Sequence, residues 1–187
     1  MIRYYPHQLS FLLDNPIRRL LISPGQFADR LSLTESSRVL EIGPGSGYFS
    51  REIVRRIPRG HLELMDLQPE MLAKARHKLD AAGLKNVGYT EGDAANLPFA
   101  NASFDVAALV AVLGEIPNNQ RCADSLYRVL RPGGFAVFHE HLPDPDIVKL
   151  STLRTLVGGA GFRFIRSWGR WYNYTAAFEK PVQRAPF

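Results

Sequence analysis

Three glycines, Gly43, Gly45 and Gly47, punctuate the run VLEIGPGSGYFS over Val39 to Ser50, between an apolar stretch and an amphipathic one. Glycine admits φ > 0 and lets the backbone come within van der Waals reach of a ligand, which a Cβ would prevent. Open α/β sheets bind ligands at such turns, beyond the carboxyl ends of their strands. A glycine pattern alone is weak and needs an acidic partner. Asp66 supplies it at the expected end of the next strand, roughly 20 residues past the loop, the spacing of a carboxylate that accepts hydrogen bonds from ribose hydroxyls. Asp93, in GDAANLPF, follows the third strand and can reach the edge of an adenine ring, with Leu67 and Met71 as candidate apolar stacking partners. Glycine loop, ribose acid and base-edge acid together read as a nucleoside site; the plainer alternative makes both aspartates turn or cap residues. A dinucleotide fingerprint spaces its glycines G-x-G-x-x-G. Here the third glycine comes one residue early, which disfavours an NAD-type site.

Groups able to move a proton occupy the same expected edge. His139, Glu140 and His141 lie at the end of the fifth predicted strand, and Glu115 follows the fourth. Imidazole titrates nearest neutral pH, so His139 and His141 lead as candidate general bases, with Glu115 behind them. The bland readings are turn contacts for the trio and an N-terminal helix charge for Glu115. Tyr4, Tyr5 and His7 precede the core and are candidates for a lid, or for simple packing.

To position these residues, the chain from Arg38 alternates short apolar runs with amphipathic stretches, the rhythm of βαβ units and a mainly parallel sheet. Strands are predicted at Arg38–Ile42, His61–Asp66, Val87–Glu91, Asp105–Leu113 and Phe135–His139. Helices are predicted at Tyr48–Arg56, from Pro69 to near Gly83, at Gln120–Leu130 and around Ile147–Gly158. Pro98 and the small polar residues of Gly92–Ser103 predict a loop with at most one helical turn. Arg131, Pro132, Gly133 and Gly134 predict a turn. Phe162–Trp168 and Tyr172–Glu179 are separated by too few residues for a parallel crossover, so they pair antiparallel and bring the sheet to seven strands with one reversed. The leading segment Met1–Ser37 reads as two short amphipathic helices broken at Pro24 and Gly25.

At 187 residues and 45% hydrophobic content, one domain with a real core is expected. The net charge of +5 is scattered among acidic residues and gives little support to a nucleic-acid partner. The lone Cys122 makes neither an internal disulfide nor a cysteine-built metal site, and no metal is expected. No apolar run approaches the ~20 residues of a membrane-spanning helix, and Met1–His7 lacks the layout of a secretory signal, so a cytoplasmic protein is expected. Pro16–Ile22, with Arg18 and Arg19, is a candidate for peripheral membrane contact, core cover being the simpler reading. Aromatic residues alternate in Phe162–Trp168 and Tyr172–Phe178, which fits a packed sheet face better than a base- or lipid-binding one.

The chain resembles the class I S-adenosylmethionine-dependent methyltransferases, closest to the ubiquinone and menaquinone biosynthesis branch. The resemblance runs from Val39 to about Phe138 through EIGPGSG (Glu41–Gly47), MDLQPEML (Met65–Leu72), GDAANLPF (Gly92–Phe99), FDVAALVAVL (Phe104–Leu113) and LRPGG (Leu130–Gly134). It implies a Rossmann-like α/β fold, a seven-stranded mainly parallel sheet in the order 3-2-1-4-5-7-6 with strand 7 antiparallel and helices on both faces. It also implies S-adenosyl-L-methionine as cofactor: Glu41 at its methionine end, Gly43, Gly45 and Gly47 beneath it, Asp66 on the ribose, Asp93 and Ala94 at the adenine, and Val110 to Val112 along the sulfonium. A single methyltransferase domain would then divide into an N-terminal cover or lid (1–37), a core (38–180) and a tail (181–187).

Methyl transfer of this kind is an in-line displacement whose main demand is alignment, worth roughly 7 to 11 kcal/mol in near-attack geometry. A general base adds about 100-fold or more where the acceptor must lose a proton. A small-molecule acceptor, aromatic or lipophilic, is expected, and either a monomer or a homodimer fits. The strand-four end (Val112, Leu113, Gly114, Glu115, Ile116) lacks the Pro-Pro-aromatic signature of amino-methylating DNA enzymes. Cys122 falls inside a helical stretch, away from any loop where a thiolate would attack a pyrimidine, and arsenic methylation would call for several thiols. The competing readings are a non-catalytic scaffold subunit that keeps the cofactor site, and an RNA or protein methyltransferase, which would bind with steep salt dependence.

Overall fold

The computed structural model describes residues 22–182. Tyr4, Tyr5, His7, the stretch Pro16–Ile22 apart from its last residue, and the tail beyond Val182 lie outside the described residues.

Seven strands form one sheet: β1 (Arg38–Ile42), β2 (His61–Asp66), β3 (Val87–Glu91), β4 (Phe104–Val110), β5 (Leu130–His141), β6 (Arg163–Arg170) and β7 (Asn173–Glu179). Their order is β3-β2-β1-β4-β5-β7-β6. The first five pair in parallel, and β7 runs antiparallel to both β5 and β6. This is the expected Rossmann-like topology. Among the described residues five helices accompany it: α1 (Pro24–Asp29), α2 (Ser50–Arg56), α3 (Pro69–Ala81), α4 (Asn119–Val129) and α5 (Leu150–Gly159). A 3-10 turn at Ala94–Asn96 is the single helical turn in the loop expected from Pro98.

Alternation along the strands sorts the core into two layers. Leu40, Ile42, Ala107, Leu109, Phe138, Ala176 and Phe178 pack with Leu126 of α4 and Leu153 of α5. Val39, Leu62, Leu64, Val106, Ala108, Val110 and Val137 pack with Phe27 of α1, Ile53 of α2 and Leu72 of α3. Full burial of each Val, Leu, Ile or Phe among them contributes about 1.5 to 3 kcal/mol, so the faces hold the helices and thereby the strand ends.

Several boundaries differ from the sequence expectations, and those nearest the glycine turn and the central strands do so for local reasons. Pro24 and Gly25 open α1, where Ser23 accepts from Gln26 N while the Gln26 side chain accepts from Ser23 N, a reciprocal cap with Pro in the first turn; the helix expected before them lies outside the described residues. The Gly-loop helix starts at Ser50, two residues late, after Gly47 turns with φ 79°. Strand β4 stops at Val110, since Ala111 takes φ 52° and the chain enters a 3-10 turn at Leu113–Glu115. The largest correction concerns β5. It runs from Leu130 to His141: the expected turn at Arg131–Gly134 survives as an irregularity within the strand, with Gly133 at φ 77° where pairing to β4 skips from Leu130 to Phe135, and the expected loop trio is taken into the strand because β7 pairs with it from Phe135 to His141. Gly133 N donates to Lys180 O and Lys180 N to Gly134 O, extending that pairing past β7.

No helix among the described residues is long and apolar enough to cross a membrane.

Candidate active site

The carboxyl ends of β3, β2 and β1 are stitched together by the backbone. Gly43 N donates to Met65 O (2.8 Å) and Gly92 N to Asp66 O (3.1 Å), so the three loops leave the sheet side by side. Gly43, Gly45 and Gly47 all take left-handed φ, 64°, 57° and 79°. At two of them the missing side chain makes room for the protein itself. A Cβ on Gly43 would overlap the Val112 methyl groups, and one on Gly47 would press within 3.3 Å of Ala75 on α3. The glycine turn is thus locked between the β4 tip and α3. Lys78 of α3 also donates to Ser46 Oγ at 3.1 Å.

Asp66 ends β2. Its Oδ1 accepts from Gln68 N at 2.9 Å, and Leu67 N adds a second backbone bond. Burial nevertheless pushes its pKa above the ordinary carboxylate value, outweighing the two N–H donors that favour the anion. Asp93 begins the loop after β3 and caps the 3-10 turn through Ala95 N to Oδ1, 2.8 Å. Both aspartates are therefore turn residues and sit at neighbouring strand tips at once. Leu67 is 42% exposed on the β2 tip, whereas Met71 is 3% exposed, and Ala94 is buried behind Asp93.

The residues present fit an adenosyl group: left-handed backbone between two closely packed walls, with carboxylates on the adjoining tips at the spacing that ribose recognition requires. At the β4 tip, Val110 is buried, and Ala111 holds a left-handed conformation that costs a residue with a Cβ about 1 to 2 kcal/mol. Ala111 N donates to His139 O at 2.8 Å, tying this strained turn to β5.

The trio on β5 is divided by the pleat. His139 and His141 share the face of Val137, toward α1, while Glu140 shares the face of Phe138, toward α5. The His139 ring lies 6.1 Å from Phe27 and 5.5 Å from His141, and its Nδ1 is 3.0 Å from Thr175 Oγ1. His141 Nδ1 lies 3.2 Å from Leu142 O. Glu41 on β1 faces the same side, so Glu41, His139, His141 and Thr175 form a belt of buried polar residues near the carboxyl end of one sheet face. Burying four polar side chains costs free energy unless each is satisfied or used, which sets this belt apart from the apolar layer beneath it.

Glu140 belongs to a different assembly. Its Oε2 accepts from Val148 N at 3.0 Å, and Tyr174, its partner across β7, donates through its hydroxyl to Val148 O. Burial, with Asp144 and Glu115 nearby, pushes the Glu140 pKa up to about 8. Together these bonds hold the strap 142–149, and Asp146 O fills the space beside Gly114.

Three residues of this half, Phe27, Arg30 and Thr175, escape a reading of motifs. Phe27 and Arg30 lie three residues apart, one helical turn, so both face the sheet. Period-two placement of Thr175 between Tyr174 and Ala176 was the available signal.

A seven-stranded sheet of this order, with a glycine turn after β1 and acids after β2 and β3, defines the class I, S-adenosylmethionine-dependent methyltransferase fold. Residues 39–134 match the methyltransferase domain family. The chain belongs to that family. It is 33% identical over 144 residues to an arsenite methyltransferase of Halobacterium salinarum, covering 74% of this chain and 36% of that protein. It is 32% identical over 124 residues to the ubiquinone/menaquinone biosynthesis C-methyltransferase UbiE of Roseobacter denitrificans, covering 65% and 50%. The chain therefore spans half or less of the length of these curated relatives. Among solved structures, a SAM-dependent methyltransferase from Aquifex aeolicus superposes with a TM-score of 0.87 at 20% identity, covering 95% of this chain and all of that one, and so shares its fold.

Proposed function

We propose that this protein transfers the methyl group of S-adenosylmethionine to a small aromatic, lipophilic acceptor. The observation that carries the reading is the position of the buried polar belt. Glu41, His139, His141 and Thr175 lie on one sheet face at the same edge as the glycine turn, with Phe27 and Phe49 packed 5.0 Å apart beside them. Aromatic rings flanked by a few buried polar groups suit an acceptor with a ring and a hydrogen-bonding oxygen. The named activity of the quinone-pathway relative supports the same class.

S-adenosylmethionine supplies, when bound, an electrophilic methyl on a sulfonium. The chain's own residues would do the rest. Gly43, Gly45 and Gly47 underlie the cofactor, Asp66 accepts from its ribose hydroxyls, and Asp93 with Ala94 meets the adenine, flanked by Leu67; buried Met71 backs that wall. Glu41 holds the polar methionine end, and Val110 borders the sulfur. His141, 8% exposed where His139 is fully buried, is the better placed general base for an acceptor proton. Glu115, near enough to raise the Glu140 pKa, is less well placed for that role. The arsenite relative's acceptor does not suit this chain: Cys122 is its one cysteine, buried, with burial pushing the thiol up to about 12.

The test is incubation with S-adenosylmethionine and a panel of phenols, hydroquinones, amines and arsenite, reading S-adenosylhomocysteine and methylated product by mass spectrometry. Turnover confined to hydroxylated aromatic rings is expected. Firm cofactor binding without turnover on any acceptor would favour a scaffold role, and turnover on arsenite or amines alone would overturn the acceptor class.

A further inference from the structure

We propose that Arg30 and Thr175 are positioning residues that fix His139 as its Nε2–H tautomer, making His139 a hydrogen-bond donor at the acceptor side and excluding it as the base. The role in the reaction rests on the methyltransferase reading above; the tautomer itself does not.

The donors and acceptors within reach decide the tautomer. Arg30 Nη1 lies 2.7 Å from Thr175 Oγ1, and Thr175 Oγ1 lies 3.0 Å from His139 Nδ1. A guanidinium has five N–H donors and no lone pair to offer, so the hydroxyl oxygen must accept from Arg30. Thr175 is fully buried, and its hydroxyl hydrogen then needs an acceptor of its own. His139 Nδ1 is the one within reach among the described residues. If Nδ1 carried the proton instead, it would point at the hydroxyl and leave the Thr175 hydrogen buried without a partner, a penalty of the size of a lost hydrogen bond. The chain therefore runs Arg30 to Thr175 to Nδ1, and the proton of neutral His139 resides on Nε2. Whatever meets the far nitrogen meets a donor.

The relay is built to stay in register. Arg30 caps α1, its own N–H bonded to Phe27 O. Its guanidinium lies 5.6 Å from the Trp168 ring centre, a cation–π contact that fixes its direction. Phe27, on the same helix face, packs edge-on to the His139 ring at 6.1 Å. Thr175 sits directly opposite His139 in the β5–β7 register, so the strands hold the second link. Helix, hairpin and central strand thus converge on one imidazole, and the donor it presents suits a carbonyl or phenolic oxygen. Base duty then falls to His141.

Long-range ¹H–¹⁵N correlation spectra of the full chain labelled with ¹⁵N-histidine read the tautomer directly, the His139 signals being assigned by their loss in His139→Gln. Expected are an unprotonated Nδ1 and a protonated Nε2 for His139. In Thr175→Val the Nδ1 resonance should move downfield as it loses its hydrogen bond, and Thr175→Ser should restore it. A proton on Nδ1 in the unmodified protein, or an Nδ1 resonance unmoved by Thr175→Val, overturns the assignment. Should Thr175→Val fail to fold, the unmodified protein and Thr175→Ser still decide. Because no acceptor is added, absence of methyl transfer would count against the proposed activity and leave this readout standing.

Discussion

The two halves of the carboxyl edge solve different problems with different parts. At the tips of β3, β2 and β1 the working groups are backbone and turn residues: three left-handed glycines, an aspartate that holds its own loop, and another that caps a 3-10 turn. At the ends of β4, β5 and β7 they are side chains inside the protein, with His139, Glu140 and Thr175 at 1% exposure or less. The first half is a shape cut for a ligand common to many reactions, and it tolerates little change in backbone. The second is a set of hydrogen-bond choices buried in a strand pair, where one side chain can be exchanged without moving the chain. Substitutions in the two halves should therefore fail differently.

The largest effect is expected at Gly43. Gly43→Ala places a Cβ at φ 64° and drives it into Val112. Left-handed strain and overpacking together should cost about 2 to 4 kcal/mol in urea denaturation, and S-adenosylmethionine binding should be lost with it. Adding Val112→Ala removes the overlap but not the φ penalty, so about half the stability should return. Full stability in the single variant would show that the turn is not wedged against β4.

The contrast between the halves also explains what could be read from the chain. The glycine turn, Asp66 and Asp93 lie close in sequence to the strands that carry them, and their spacing follows from the length of a βαβ unit. The sheet order was legible through the family resemblance, and the reversed strand through the short link between β6 and β7. The β5 boundary was not, because Arg131, Pro132, Gly133 and Gly134 have turn composition. Only the arrival of β7, some forty residues later, keeps the strand running to His141. Nor was the histidine relay legible, since its members at 30, 139 and 175 meet only once helix α1 docks. A trio that looked like one loop proved to be two faces of one strand.

Asp66 gives the next test. Asp66→Ala should weaken S-adenosylmethionine binding at least about tenfold by calorimetry, close to 1.4 kcal/mol, while the fold persists. The pH dependence has a definite sign. Burial raises the pKa of the free carboxyl, whereas ribose hydroxyls donate to the anion, so binding should lower that pKa and affinity should fall as pH drops. The fall should begin at milder acidity than an ordinary aspartate would produce and be absent in Asp66→Ala. Equal affinity for both proteins at neutral pH would remove Asp66 from the site.

Glu140 should show the smallest effect, and one confined to the other half. Its folded pKa, near 8, lies above the usual value of about 4.3, so the native state keeps a proton that the unfolded chain releases across that window. Stability that is full below the unfolded pKa is then lost as pH rises toward and through 8, where the anion meets Asp144, Glu115 and a dry strand face. Glu140→Gln keeps an oxygen for Val148 N–H and never ionises. Urea denaturation should find the variant more stable than the unmodified protein by about 1 kcal/mol at alkaline pH, with the difference vanishing in mild acid. Opening of the strap 142–149 limits the gain, because hydrating the carboxylate relieves the penalty before the whole domain unfolds. S-adenosylmethionine affinity at neutral pH should not change, since Glu140 lies across the sheet from the belt; a tenfold loss there would show that the strap reaches the cofactor side and that the two halves are not separable.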